Sequence, residues 1–513
     1  MCEKKVDIKY KSLPKSIKNI LNKRDVIDQE TLERFLFPSF EHLRKKDEIL
    51  KEAIKRIEKG INENKKFLIW GDQDLDGITA TLIMKMAMQN MTNKNVEIYI
   101  PDREKEGYGL SKKGINVAVG KGVENIITVD CGITSFNEVE YLLEKGIDII
   151  ITDHHEPRDM LPKALILNPK LSDFGYTYLS GAGVAFKLAD SLFDSILGKL
   201  TSDWIIEYPE IPIWSMIGTI SDRVPQLDEN RVLIIEGQKF LKHIKDPPFT
   251  VLQDMGSVEA AIEPLHSGTD NLTWKFFTSK TLKEAKDIYH KLEAKHSYWS
   301  IKAGEQFLSF RKQLNSGYLA LFDPDLDFRF AGTIANRARD YTEHPVFVVY
   351  TVGDKLRGEG RAPKDFDLLS ILDEVSDLLV DYGGHKVACG FTLREGKIEE
   401  FIDRVNPELE KYESKIITDS KIRLKDITPD LQNFIKKFEP FGKGNSPPIV
   451  KVEDLNYKIS NGVPIIFDRE NVLTLDNVKE MPPPSEIVNA YLRLDGKKIS
   501  LLKWEWVEGK NKD

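Results

Sequence analysis

The sequence predicts an α/β protein with a mainly parallel sheet flanked by helices, a long connecting helix, a second α/β domain and a small C-terminal β-barrel. Three observations predict it. From Lys66 onward short apolar runs alternate with helical patterns, as expected of strands joined by helical crossovers and covered on both faces. A charged stretch over 277–312 contains no proline or tight-turn signal and reads as one long helix. Beyond about 414, short strand-like runs separated by turns suggest the barrel.

Residues 28–60 form a helical lead-in, with Leu32, Phe35, Leu36, Ile49, Leu50, Ile54 and Ile57 at mixed three- and four-residue spacing. The strand runs are FLIW (67–70), VEIYI (96–100), NIITVD (125–130), DIIITD (148–153) and ALILNP (164–169), with amphipathic stretches over 78–91, 110–119 and 134–144 between them. YLALFDP, the PVFVVYTV run and the glycine-rich segment 353–396 supply the second α/β domain. At 513 residues the chain exceeds one core. The expected boundaries are a helical lead-in over 1–60, an α/β domain over 61–250, a linker with the long helix over 251–314, a second α/β domain over 315–412 and a barrel over 413–513.

The net charge of −8 announces no basic domain, so any polyanion must be held by a local field. Cys2, Cys131 and Cys389 are too few and too scattered for a disulfide framework or a cysteine zinc site, and they fit a reducing cytoplasm. No apolar run is long enough to span a membrane, and no secretory signal is expected at the N-terminus.

Ligands in open parallel sheets sit beyond the carboxyl ends of the strands. Asp72, Asp74 and Asp76 of GDQDLDG follow the FLIW run, Asp130 closes the third run, and Asp153, His154 and His155 close the fourth. Three strands thus deliver acids and imidazoles to one sheet edge, a recurrence that a solvated acidic turn does not predict. Alternating aspartates on an extended chain would point the same way, and Gly77 would permit a tight turn into the next helix. Manganese and magnesium favour carboxylate oxygens, and imidazole also suits manganese. Taken alone the triple-Asp loop fits a calcium loop or polar turn equally well.

TDHHEPRD is less easily bland in a chain with nine histidines. Adjacent side chains diverge, so one imidazole is free for metal and the other for a phosphate oxygen. Asp130 is placed to bridge two cations, and Asp222, after an apolar helical stretch, is either a further ligand or a helix-end cap. RGEGRAP (357–363) and DYGGHKVACGF (381–391) offer glycines, Arg361, His385 and Lys386 for phosphate contact, although turn punctuation explains them too. SGAG (180–183) lacks the spacing of a dinucleotide fingerprint, which argues against a nicotinamide enzyme.

Together GDQDLDG, VDCG, TDHH, GTISD, RGEGRAP and GGHKVACGF, in that order, resemble the DHH phosphoesterase superfamily, and within it the RecJ family of single-strand-specific DNA exonucleases. GYGLS, LSGAGVAFKLA and FEPFGKGNSPP extend the resemblance over about residues 30–460. It implies a parallel-sheet DHH domain, a DHH-associated domain and an OB-like barrel suited to single strands. It implies two Mn2+ or Mg2+ ions held by Asp72, Asp74, Asp76, Asp130, His154 and Asp222. Asp76, Asp130, His155 and Arg361 would be catalytic, and His155, Arg361, Gly383, Gly384, His385 and Asn336 would contact substrate.

The implied activity is 5′-to-3′ release of mononucleotides from single-stranded DNA by two-metal hydrolysis, in DNA repair and recombination. A single-strand-binding protein or a helicase is the implied protein partner, and a cytoplasmic monomer is expected. Two departures stand out: Trp70 replaces a metal-binding His of some superfamily members, and Asn336 replaces a common Ser. The extra C-terminal domain of some relatives is not expected. An oligoribonucleotide or cyclic-dinucleotide phosphodiesterase of the same superfamily is the alternative enzyme, although these are typically shorter and lack the barrel. A non-catalytic replication scaffold is the alternative outside enzymes, but it has no reason to keep a self-repelling acidic cluster.

Overall fold

The computed structural model describes residues 8–44, 47–92, 96–268, 271–413, 416–476, 478 and 487–507. Cys2 and the other termini of the expected end domains lie outside them. The chain divides into two compact units, one of residues 1–292 and 417–513 and the other of residues 293–416.

In the first unit, β1 (Phe67–Trp70), β2 (Glu97–Tyr99), β3 (Asn125–Val129), β4 (Asp148–Thr152) and β5 (Leu165–Leu167) form a fully parallel sheet in the order β2-β1-β3-β4-β5. The runs are apolar without alternation because both faces are buried. Phe67, Ile69, Ile127, Val129 and Ile150 face a core shared with helices Leu75–Gln89, Gly181–Leu197 and Glu210–Ser221. Leu68, Trp70, Ile126, Ile149 and Ile151 face the opposite core, under helices Lys112–Gly120 and Phe136–Glu144. Trp70 is a core residue: its ring packs 4.6 Å from Tyr99 and its indole N–H donates to Gly109 O at 3.3 Å.

The lead-in does not stand apart. Ile20, Leu21, Leu32 and Phe35, on helices Lys15–Asn22 and Gln29–Leu36, share one core with Ile435, Phe438, Val450 and Leu492 of the C-terminal region. That region is built from β11 (Ser420–Lys421), β12 (Ile449–Ser460), β13 (Val463–Phe467), β14 (Val472–Thr474), β15 (Val488–Leu494) and β16 (Ile499–Trp506). Its sheet is antiparallel in the order β14-β13-β12-β15-β16, with β11 pairing parallel to β12. Among the described residues the edge strands β14 and β16 are not paired to each other. A register shift between Val452 and Leu455 bends the long strand β12, so it serves both halves of the sheet.

The long helix runs Leu282–Asn315, starting later than the composition predicts. A short helix, Leu272–Phe277, precedes it. Between them the Thr281 hydroxyl accepts from Glu284 N at 3.2 Å, a side-chain cap that starts a new helix and ends the expected continuity. In the second unit, β6 (Ala320–Phe322), β7 (Val346–Val352), β8 (Lys355–Arg361), β9 (Leu379–His385) and β10 (Ala388–Leu393) form a mixed sheet in the order β6-β7-β8-β10-β9. Its core includes helix Ala331–Thr342 through Ile334, Ala335 and Ala338. None of the described helices is long and apolar enough to cross a membrane.

Candidate active site

The strand order reverses direction beside β1, so a crevice opens beyond the carboxyl ends of β1 and β3, where ligands bind in doubly wound sheets. The GDQDLDG loop leaves β1 there. Its aspartates do not alternate along an extended strand as expected. Asp74 caps helix Leu75–Gln89, its carboxylate accepting from Gly77 N at 2.9 Å, and Asp76 already lies in the first helical turn. Capping is the local preference of an aspartate ahead of an apolar helix, and it overrides the extended reading. Gly77 is helical, not a turn residue. A Cβ there would stand 2.6 Å from Asp72 Cβ, so glycine lets the loop fold back onto the helix.

Asp76 is buried at 3% exposure. Its two oxygens accept from Gly181 N at 2.6 Å and Ala182 N at 2.9 Å. SGAG is therefore the N-terminus of helix Gly181–Leu197, with its free N–H groups aimed at a carboxylate. A Cβ on Gly181 would fall 2.4 Å from Asp130 Oδ1, so only glycine admits this approach. Asp130 follows β3 with φ of 60°, a conformation uncommon for non-glycine residues and often held in place at functional sites.

Around these carboxylates the His154 ring is central. Its Nε2 lies 3.0 Å from Asp130 Oδ1 and 3.9 Å from Asp76 Oδ2, and its Nδ1 lies 3.7 Å from Asp222 Oδ2. Asp222 ends helix Glu210–Ser221 as its cap residue. Asp76, His154 and Asp222 form one group whose ligand atoms lie within 4.8 Å of one another, and Asp72, Asp74 and Asp130 form another. Asp130, His154 and His155 form a third. Asp130 Oδ1 is buried yet accepts no hydrogen bond of acceptable geometry. A buried acceptor without a donor is costly, and oxygen-rich groups of this kind suit hard divalent cations. The residues fit such ions.

The electrostatics carry the same message. Burial, then Asp222 and Asp74, push the Asp76 carboxyl well above the carboxylate range. Burial and Asp76 do the same to Asp130, and burial and Asp74 raise Asp222 to about 6. Burial and the neighbouring His155 lower His154 to about 4, which keeps its imidazole neutral and able to coordinate. For His155 burial works against the charge, but the hydrogen bond and the negative charge of Asp153 outweigh it and raise the ring.

Three contributors escape the sequence reading, and a fourth, Asp153, is placed at the sheet edge by the sequence but given no role there. Asp153, fully buried, accepts from Ile133 N at 2.9 Å, His154 N at 2.7 Å and His155 N at 3.1 Å, and pairs with His155 Nδ1 at 2.7 Å. Arg103 grips both oxygens of Asp72 and reaches Asp74 Oδ2 at 2.8 Å. Tyr108 donates to Asp130 O at 3.1 Å and lies 3.0 Å from His155 Nδ1. The Gly181 and Ala182 N–H groups complete the set. Arg103 and Tyr108 follow β2 at the same sheet edge, so the strand-end rule, applied to VEIYI, points to them.

The remaining predicted residues belong to the second unit. Arg361 ends β8 and pairs with Glu359 Oε2 at 2.9 Å and Gly360 O at 2.8 Å. Register places Ala388 opposite both Arg361 and His385, so these two side chains share one sheet face, two strands apart. Gly383, Gly384 and His385 are exposed on the edge strand β9. Asn336 lies one turn beyond Gly332, where an added Cβ would fall 2.9 Å from the Arg361 guanidinium.

Residues 66–206 match the DHH family, N-terminal domain, and residues 315–411 match the DHHA1 domain. The single-stranded-DNA-specific exonuclease RecJ of Bacillus subtilis is 29% identical over 436 residues, covering 79% of this chain and 54% of that protein. The chain thus spans about half the length of that relative. The crystal structure of a manganese-bound exonuclease RecJ is 27% identical, with a TM-score of 0.57 over 72% of this chain and 96% of that one. The structure of RecJ from Thermus thermophilus in complex with Mn2+ has a TM-score of 0.73 over 97% of this chain and 79% of that one; at 21% identity it shows a shared fold.

Proposed function

We propose that this chain, whose residues 66–206 and 315–411 match the DHH family N-terminal domain and the DHHA1 domain, is a metal-dependent exonuclease of the DHH family that hydrolyses single-stranded DNA to mononucleotides from the 5′ end, in repair and recombination. The observation that carries the reading is the buried carboxylate Asp130, whose Oδ1 lacks a hydrogen bond between two groups of candidate ligands. Asp76, His154 and Asp222 would hold one Mn2+ or Mg2+ ion, and Asp72 and Asp74 a second, with Asp130 shared. When bound, such ions neutralise charge developing on a phosphoryl group and acidify a water.

The chain's own residues do the positioning. Backbone N–H groups at the start of helix Gly181–Leu197 fix both Asp76 oxygens while leaving lone pairs for a cation. Asp153 holds His155 through Nδ1, which leaves Nε2–H as a donor for a phosphoryl oxygen and favours the charged ring. Arg361, Gly383, Gly384, His385 and Asn336 are assigned to substrate phosphates, within the region 315–412. The sheet of β11 to β16 is assigned to the single strand, and a single-strand-binding protein or a helicase is the candidate protein partner of a monomeric enzyme.

Strands labelled at the 5′ or the 3′ end, in DNA and RNA, incubated with manganese, magnesium or EDTA, test the reading. The expected result is immediate release of 5′-labelled mononucleotide from single-stranded DNA only with a divalent ion. Degradation in EDTA, or attack confined to dinucleotides, would contradict it.

A further inference from the structure

The segment 438–448, FEPFGKGNSPP, has no role in the site as described, yet it is held with unusual care. Arg231, 1% exposed on helix Asp228–Leu241, donates to Lys437 O at 3.1 Å, Phe438 O at 2.8 Å and Glu439 O at 2.9 Å, and lies 4.4 Å over the Phe35 ring. Asn445, fully buried, donates to Phe438 O at 2.8 Å and Pro440 O at 2.9 Å and accepts from Arg24 Nε at 3.1 Å. Two buried arginines are costly to place, and here they fix the backbone of one loop.

That loop closes on itself through reciprocal backbone bonds between Gly442 and Asn445, 3.1 Å each. Its tip docks on the residues just after Asp222. Gln226 N donates to Lys443 O at 2.8 Å, and a Cβ on Gly442 would fall 2.2 Å from the Gln226 amide carbon. Gly444, with φ of 76°, faces Pro225 in the same way. The one cationic side chain at the tip is Lys443, exposed and without an ion pair or side-chain hydrogen bond among the described residues. Gln226, which holds the Lys443 carbonyl, stands four residues after Asp222, so the loop tip is carried to the edge of the carboxylate cluster. The nearby Lys170, by contrast, is engaged by Glu156 at 2.9 Å.

A free lysine at a loop tip is ordinarily a solvated charge. A rigid loop that places the free lysine beside an acidic cluster is different, because it adds positive charge to that of Arg103 and His155 where the carboxylates would repel a polyanion. We propose that Lys443 is a substrate-positioning residue that holds a backbone phosphate of the single strand next to the carboxylate cluster. The C-terminal region would thereby contribute directly to the active site. This rests on the nuclease reading above.

The test compares full-length wild type with K443Q and K443R. A labelled 20-mer strand is bound in EDTA across a salt series, and its degradation is followed with manganese. K443Q is expected to lose about one unit of the logarithmic salt slope and to raise KM roughly threefold to fivefold, since each phosphate contact contributes on that scale. K443R is expected to recover most of both, and kcat and Tm to stay near wild type. An unchanged salt slope and KM in K443Q overturns the proposal, as does a K443R no better than K443Q. If wild type itself neither binds nor degrades the strand, the nuclease reading falls and this assignment with it, so the two failures are distinguishable.

Discussion

The carboxylate cluster of the first unit and the glycine-rich segment of the second differ in how completely the protein satisfies them. Arg361 is paired by Glu359 and Gly360 O, and β9 simply exposes its glycines. In the first unit Asp76, Asp130 and Asp222 crowd together, mostly buried, with their carboxyls raised above the usual range. A region at electrostatic rest can bind a phosphate by exchange of partners. A region under repulsion is stabilised by an added cation, and that is where chemistry is expected.

The sharpest way to break this contrast is to neutralise one side of it. Asp76→Asn or Asp130→Asn is expected to lower single-strand hydrolysis by on the order of 10³-fold, because positioned charge is removed from the reacting centre. Arg361→Gln or His385→Ala is expected to act mainly through KM, with kcat/KM falling about 10²-fold as a charge-assisted phosphate contact is lost. Equal effects on kcat from both sets would erase the distinction.

Metal binding separates the regions without an activity assay. Manganese at about 100 times its Kd is expected to stabilise wild type by roughly 2.7 kcal/mol. Thermal melting should show the full gain for Arg361→Gln and a smaller one for Asp76→Asn, which keeps only the group of Asp72, Asp74 and Asp130.

The smallest effect is a pH dependence. The Asp222 carboxyl is raised from 3.8 to about 6, by burial and then by Asp74, with His155 pulling the other way. A carboxyl raised on folding gives stability that is present below its unfolded value and lost as pH rises through its folded one. Asp222→Asn removes that loss. In EDTA its Tm advantage over wild type should therefore grow between about pH 4 and pH 7. A constant difference would show that Asp222 is not under strain.

Much of this was legible in the residues. Apolar runs followed by Asp72, Asp130 and Asp153 mark five parallel strands and their functional edge, because strands buried on both faces cannot alternate. The exact posture of GDQDLDG was not legible, since an aspartate that can cap a helix does so and takes the chain out of extension. SGAG is rightly no dinucleotide fingerprint, but its own role is not legible for a related reason: its N–H groups serve a protein carboxylate, and no ligand motif encodes that. The strand-end rule brings Arg103 to the same sheet edge, but its pairing with Asp72, 31 residues away, is set by tertiary structure. The core shared by the lead-in and the C-terminal sheet joins opposite chain ends, which no local pattern can announce.

The central claim is that the cluster holds two cations, with Asp130 between them. An anomalous-difference map from a crystal soaked in manganese tests it most directly. The account predicts two peaks, one among Asp76, His154 and Asp222 and one among Asp72 and Asp74, both reached by Asp130. A single peak, or none at these residues with manganese bound elsewhere, would contradict it.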